Sequence, residues 1–154
     1  MLTCIPRSLI SWDYQVSGLS SGLAELGYDY LTEQGDISFS GAQFSVRKHG
    51  FMSGHWSLDQ EGKSCADAIK PSAMFRLFEV STDEVQLTVK AQSAFTRCYD
   101  IISGGHVVGT IQPAHVFTRR ALIDCDSAVP EVVQLFSFWL VALTWRRSAR
   151  RSST

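Results

Sequence analysis

The chain has 154 residues, 45% of them apolar and 19% charged, which excludes a disordered polyelectrolyte and leaves ample material for one core. Lys+Arg is 14 and Asp+Glu 15, yet Arg146, Arg147, Arg150 and Arg151 crowd the C-terminal end with no acid among them. Without those four the balance is 10 against 15, which argues against a globally basic nucleic-acid binder.

Residues 1–35 carry the weakest pattern and are assigned to the same domain as the remainder of the chain. Met1–Arg7 lacks the charged n-region and long apolar stretch of a secretory leader. Trp12 to Val16 reads as a short strand, Ser17–Gly22 as a Ser/Gly linker, and Leu23–Leu31 as either a short helix or a strand. From Asp36 onward the chain alternates strand and turn, and residues 36–147 are assigned to a β-meander or barrel with a C-terminal helix. Glu84–Lys90 is the clearest case, with Val85, Leu87 and Val89 on one face and polar residues on the other. Turn signals at Gly41, Gly50, Glu61-Gly62, Ser81–Asp83 and Gly104-Gly105 separate runs around Phe44–Arg47, Phe51–Leu58, Ser64–Ile69, Met74–Val80, Arg97–Ile102, His106–Ile111 and Arg119–Cys125. Short strands at regular spacing predict an antiparallel meander or barrel rather than βαβ units. A faint repeat at an offset of 43 places Phe44/Val46 on Leu87/Val89, Trp56/Leu58 on Tyr99/Ile101, Gly62 on Gly105 and Arg76 on Arg119.

The C-terminal segment breaks this rhythm. Pro130 and Glu131 suit the first turn of a helix, and Arg146 and Arg147 its last. Between them Val132–Trp145 has no charge and is apolar nearly all round, the profile of a buried helix. Gln134, Ser137 and Thr144 form one narrow polar stripe. The run is short of the roughly 20 residues a membrane span needs, although Trp145 beside an arginine pair resembles an interfacial anchor. The preferred placement is inside a β-barrel, with a membrane-inserted tail as the alternative. Residues 148–154 read as a flexible basic tail.

No motif carries a reaction. Gly18-Leu-Ser20-Ser-Gly22 matches G-x-S-x-G literally, but that nucleophile elbow requires a strand before it, a helix after it and a parallel sheet. Asp124 and Asp126 are read as capping the start of the final helix. Arg47-Lys48-His49 is a small basic cluster able to meet a phosphate, in a solvated hairpin loop. Arg76 and Arg119 are assigned to acids on strand faces, and Trp12, Trp56, Tyr28, Tyr30 and Tyr99 to core or rim. Cys4, Cys65, Cys98 and Cys125 are widely spaced, which points to reduced, mostly buried thiols and a cytosolic setting. No metal or cofactor is expected.

The stretch Trp56-Ser-Leu-Asp-Gln-Glu-Gly-Lys-Ser-Cys-Ala-Asp-Ala-Ile-Lys-Pro71 is followed by Arg76-Leu-Phe-Glu-Val80. Then come Tyr99-Asp-Ile-Ile-Ser-Gly-Gly-His-Val-Val-Gly-Thr-Ile111 and the apolar C-terminal helix. Over residues 36–146 this order resembles the tubby C-terminal-like superfamily, which includes phospholipid scramblases and LURP-one-related proteins. The resemblance implies a closed antiparallel barrel of ten to twelve strands around a hydrophobic C-terminal helix, and for some members association with membranes or phosphoinositides. No lipid-binding position transfers residue by residue. By charge alone, the candidates for anionic phospholipid or phosphate are Arg47, Lys48, Arg146, Arg147, Arg150 and Arg151. The expectation is a non-enzymatic binding or scaffold module, cytoplasmic and peripheral to an anionic membrane. The alternatives are a soluble protein–protein module and, last, a small hydrolase using Ser20.

Overall fold

In the computed structural model, which describes residues 1–153, twelve antiparallel strands close into a barrel around one helix. The strands are β1 (Leu2–Pro6), β2 (Tyr14–Leu19), β3 (Gly22–Asp29), β4 (Gln34–Phe39), β5 (Ala42–Lys48) and β6 (His55–Gln60). They continue as β7 (Lys63–Ile69), β8 (Leu77–Ser81), β9 (Gln86–Ala91), β10 (Tyr99–Ser103), β11 (His106–Pro113) and β12 (Ala121–Cys125). Each pairs with its neighbours in sequence, and β1 closes the ring against β12 through Leu2–Ile123 and Cys4–Ala121. Helix α1 (Glu131–Ser152) comes after β12.

Period-two patterning builds the wall. In β9, Leu87 and Val89 face the interior while Gln86 and Lys90 are exposed. In β5, Phe44 and Val46 face in, and Gln43, Ser45 and Arg47 face out. Eight strands enclose just enough room for side chains, and the interior widens with each added strand. A twelve-stranded ring therefore needs a filler, and α1 supplies it. Every residue from Val133 to Trp145 is buried, which is why the helix is uncharged on all sides. Its polar stripe is not solvated. Gln134 donates to the Val129 carbonyl, Ser137 to Val133, and Thr144 shares a 2.8 Å hydrogen bond with the Tyr99 hydroxyl. The membrane-inserted alternative is thereby replaced: this helix is the core of the barrel, and no helix among the described residues is long and apolar enough to cross a membrane.

Three of the connections are two-residue hairpins with positive φ at both positions: Ser40-Gly41, Glu61-Gly62 and Gly104-Gly105. That geometry matches the strand twist and favours glycine at the second position. Several sequence expectations are corrected. Ser17–Gly22 is no linker: it ends β2, turns at Ser20-Ser21 and enters β3. Of the two readings left open for Leu23–Leu31, the strand is the one found, through Asp29. Phe51 and Met74 lie in loops outside the strands that come after them. The helix does not stop at Arg147 but runs to Ser152, so residues 148–152 are helical rather than a flexible tail; Thr154 lies outside the described residues. Asp124 sits in β12, and Asp126 accepts from the backbone N–H of Ala128, capping the turn ahead of the helix rather than the helix itself. All four cysteines are free thiols, yet only Cys4 is fully buried and Cys65 is exposed.

Candidate functional site: the basic end of the barrel

In an up-and-down barrel, alternate connections lie at the same end. Those following β2, β4, β6, β8 and β10 share one end with the start of α1, where the Glu131 carboxylate accepts from the Ser20 backbone N–H at 2.9 Å. These connections are short, and with the β12–α1 link they carry Glu61, Asp83, Glu84 and Asp126 and no lysine or arginine. The connections following β1, β3, β5, β7, β9 and β11 lie at the other end and, apart from 30–33, are longer, spanning residues 7–13, 30–33, 49–54, 70–76, 92–98 and 114–120. Here α1 emerges, and the loops contribute Arg7, Lys70, Arg76, Arg97, Arg119 and Arg120 against only Asp13 and Glu33.

Of the residues selected from sequence, Lys48, Arg146, Arg147, Arg150 and Arg151 come together at this end. Lys48 is not in a solvated loop: it closes β5, is largely buried, and donates to Glu33 at 2.8 Å. Arg147 grips the same carboxylate with two hydrogen bonds of 2.6 and 2.7 Å. Those bonds hold the Glu33 carboxyl at about 2, with Arg147 the largest influence and Lys48 assisting against the desolvation that opposes them. Arg146 lies over the Tyr30 ring at 4.2 Å and donates to the Tyr30 carbonyl. Arg150 is exposed on the last turns of α1. Arg47 points outward from the wall, 3.9 Å from Asp59, and does not join the cluster.

Between the loops after β3, β5 and β7 opens a cleft of about 900 Å³. Lys48, Lys70, Arg147 and Arg151 line it, with Glu33 as the acid and Trp56 on its wall. Lys70 donates to the carbonyls of Ser72 and Phe75. Its pKa is lowered, chiefly by desolvation and then by the nearby positive charge of Arg147 and Arg151.

Sequence reasoning missed a set of arginine clasps. Arg76 donates to the carbonyls of Thr96 and Ser93 at 2.6 and 2.5 Å. Arg97 does the same to Thr118 and Val116 at 2.8 and 2.6 Å. Arg119 reaches across the closure to the carbonyls of Ser8, Leu9 and Ser11. Each guanidinium also lies over an aromatic ring, of Tyr99, Trp145 and Trp12 respectively. None of the three takes the strand-face acid expected for Arg76 and Arg119. The signal was partly present, since Arg76 and Arg119 are equivalent at the offset of 43, but their acceptors are backbone carbonyls, which no side-chain pattern reveals.

Ser20 lies at the tip of a hairpin between two strands, not on a strand-to-helix turn, and at the end opposite the cation cluster. No protein-family model, curated protein or solved structure matches the chain.

Proposed function

We propose that this chain is a non-enzymatic binding module of the tubby-like kind, which docks on anionic phospholipid surfaces with the basic end of its barrel. The observation that carries the reading is the one-ended distribution of charge. Six loops and the exit of α1 gather most of the lysines and arginines at one end, while the only charges on the turns at the other are acidic. A cation near an anionic bilayer contributes about 1 kcal/mol and is screened within a Debye length. A charge dipole of this kind also orients the barrel, because turning it over presents Glu61, Asp83, Glu84 and Asp126 to the negative surface. The barrel closed around a C-terminal helix is the architecture that the resemblance implies, and it supports the same reading.

The test is co-sedimentation of the full chain with vesicles of phosphatidylserine and phosphatidylcholine, or of phosphatidylcholine alone. Binding to the anionic vesicles is expected at low salt, with little binding to the neutral ones. Arg150→Gln with Arg151→Gln should weaken it about tenfold, from about 1 kcal/mol per lost charge discounted for screening. Absence of binding to anionic vesicles at low salt overturns the proposal.

A further inference from the structure

Resting on that reading, we infer that the loops at the basic end insert apolar side chains below the headgroups, so that the barrel is anchored as well as attracted. Each of the six loops there carries a large apolar side chain in full view of solvent: Leu9, Leu31, Phe51, Met74, Phe95 and Phe117, between 87 and 98% exposed. Four loops carry a second, namely Ile10, Met52, Phe75 and Val116, each more than two-thirds exposed. The hairpin tips at the opposite end are built from serine, threonine, glycine and acidic residues, with Val85 half-buried beside them.

Single exposed apolar residues are ordinary on a protein surface. A ring with one on every loop of one barrel end, against only the N-terminal Met1 at 72% exposure and no hairpin tip so exposed at the other, is a patch of the kind that marks an interaction surface. Several of the loop backbones are also pinned. Arg119, Arg76 and Arg97 bind the backbone carbonyls of loops 7–13, 92–98 and 114–120, and Lys70 those of its own loop. Backbone groups are thus satisfied by fixed cations, and the side chains of Leu9, Phe95 and Phe117 are left to project.

The chemistry around the tips selects a lipid surface as the occupant. Arg7, Lys70 and Arg120 share these loops, Arg150 lies on the emerging end of α1, and the same loops carry the amphipathic rings of Trp12 and Tyr30. Exposed apolar tips, together with basic and amphipathic aromatic side chains at the same barrel end, match the acyl boundary and the anionic headgroup layer of a bilayer. The wall behind faces water, since outward positions such as Gln43, Ser45, Gln86 and Lys90 are polar; a lipid-facing wall carries apolar residues there. Insertion is therefore confined to the loops.

The variant Leu9→Ser/Phe95→Ser/Phe117→Ser removes apolar surface at constant charge. Leu23→Ser/Val107→Ser, which changes exposed apolar residues near the other end, is the control. Both should keep the thermal midpoint of the parent chain. With anionic vesicles at low salt the triple variant should partition about a hundredfold more weakly than the parent, and the control equally well. At high salt the parent should retain residual binding and the triple variant none. If the parent binds at low salt, is fully released by salt, and the triple variant matches it, attachment is through charge alone: the insertion is overturned and the docking reading stands. If the parent fails to bind anionic vesicles at low salt, the docking reading itself is overturned and the insertion with it. If the parent dimerises without vesicles and the triple variant does not, the ring is a self-association surface and the inference is overturned.

Discussion

Glu33 shows how a single residue ties the candidate site to the core. It sits at φ +56°, a conformation that side-chain-bearing residues adopt at a cost. Four contacts hold it there: its backbone N–H donates to the Asp29 carbonyl at 3.1 Å, its carbonyl accepts from the Trp56 indole at 3.0 Å, and its carboxylate is held by Lys48 and Arg147. Its carboxyl falls from an ordinary 4.5 to about 2. The folded value lies below the unfolded one, so the contribution is present above 4.5 and is lost as pH falls from there toward 2. Discounted for the quarter of the side chain that remains exposed, this amounts to about 2 kcal/mol. Urea midpoints of the parent and Glu33→Gln, followed from pH 6 to pH 2.5, should converge as the acid range is crossed. A gap that stays constant would mean that the carboxylate does no such work.

At the scale of the element, α1 is defined by what it touches. Trp139 stacks on Tyr28 with ring centres 4.5 Å apart and donates its indole N–H to the Gly27 carbonyl. The Tyr28 hydroxyl returns a 2.7 Å hydrogen bond to the Trp139 carbonyl. Gly35 makes the fit possible, because a Cβ there would stand 1.9 Å from the Gly27 carbonyl oxygen and 3.1 Å from the Trp139 indole nitrogen. Trp139→Ala leaves a cavity in the centre of the barrel and removes the indole donor to the Gly27 carbonyl, so a loss of about 3–5 kcal/mol is expected from denaturant unfolding. Ser20→Ala, at an exposed hairpin tip, should stay within about 0.5 kcal/mol of the parent. Equal midpoints for the two variants would remove α1 from its role as core.

Over the whole molecule, closure and filling are one event. The twelve strands leave no free edge, but their inward faces have nothing to bury against until α1, last in sequence, enters. A chain ending at Pro130 should therefore lose its near-ultraviolet circular dichroism and bind a hydrophobic dye, while the full chain does neither. A truncated chain with sharp, native-like aromatic signals would show that the strands close without their filler. The same topology underlies the proposed function. Alternation of strand direction gathers the connections after the odd-numbered strands, five of them six or seven residues long, at one end, and α1 exits among them with its arginines.

Local chemistry makes much of this architecture legible in the sequence. Alternation in Glu84–Lys90, the turn glycines and the uncharged run Val132–Trp145 each report on a residue's immediate surroundings, and those predict strands, hairpins and a helix with no solvated face. The repeat at 43 is also visible in three dimensions: β6 and β10 both carry a register shift, after Leu58 and Ile101, and Gly62 and Gly105 turn with φ of 80° and 81°. The first three strands are harder to read because Ser17–Gly22 has the composition of a linker whether or not it pairs. The candidate site is legible only as charge. That Lys48 and Arg147 share Glu33, that Arg119 holds the loop of Leu9 across the barrel seam, and that six apolar tips stand together are consequences of ring closure. Sequence spacing determines which face of a strand a side chain takes; only the closed ring determines which distant residues become neighbours.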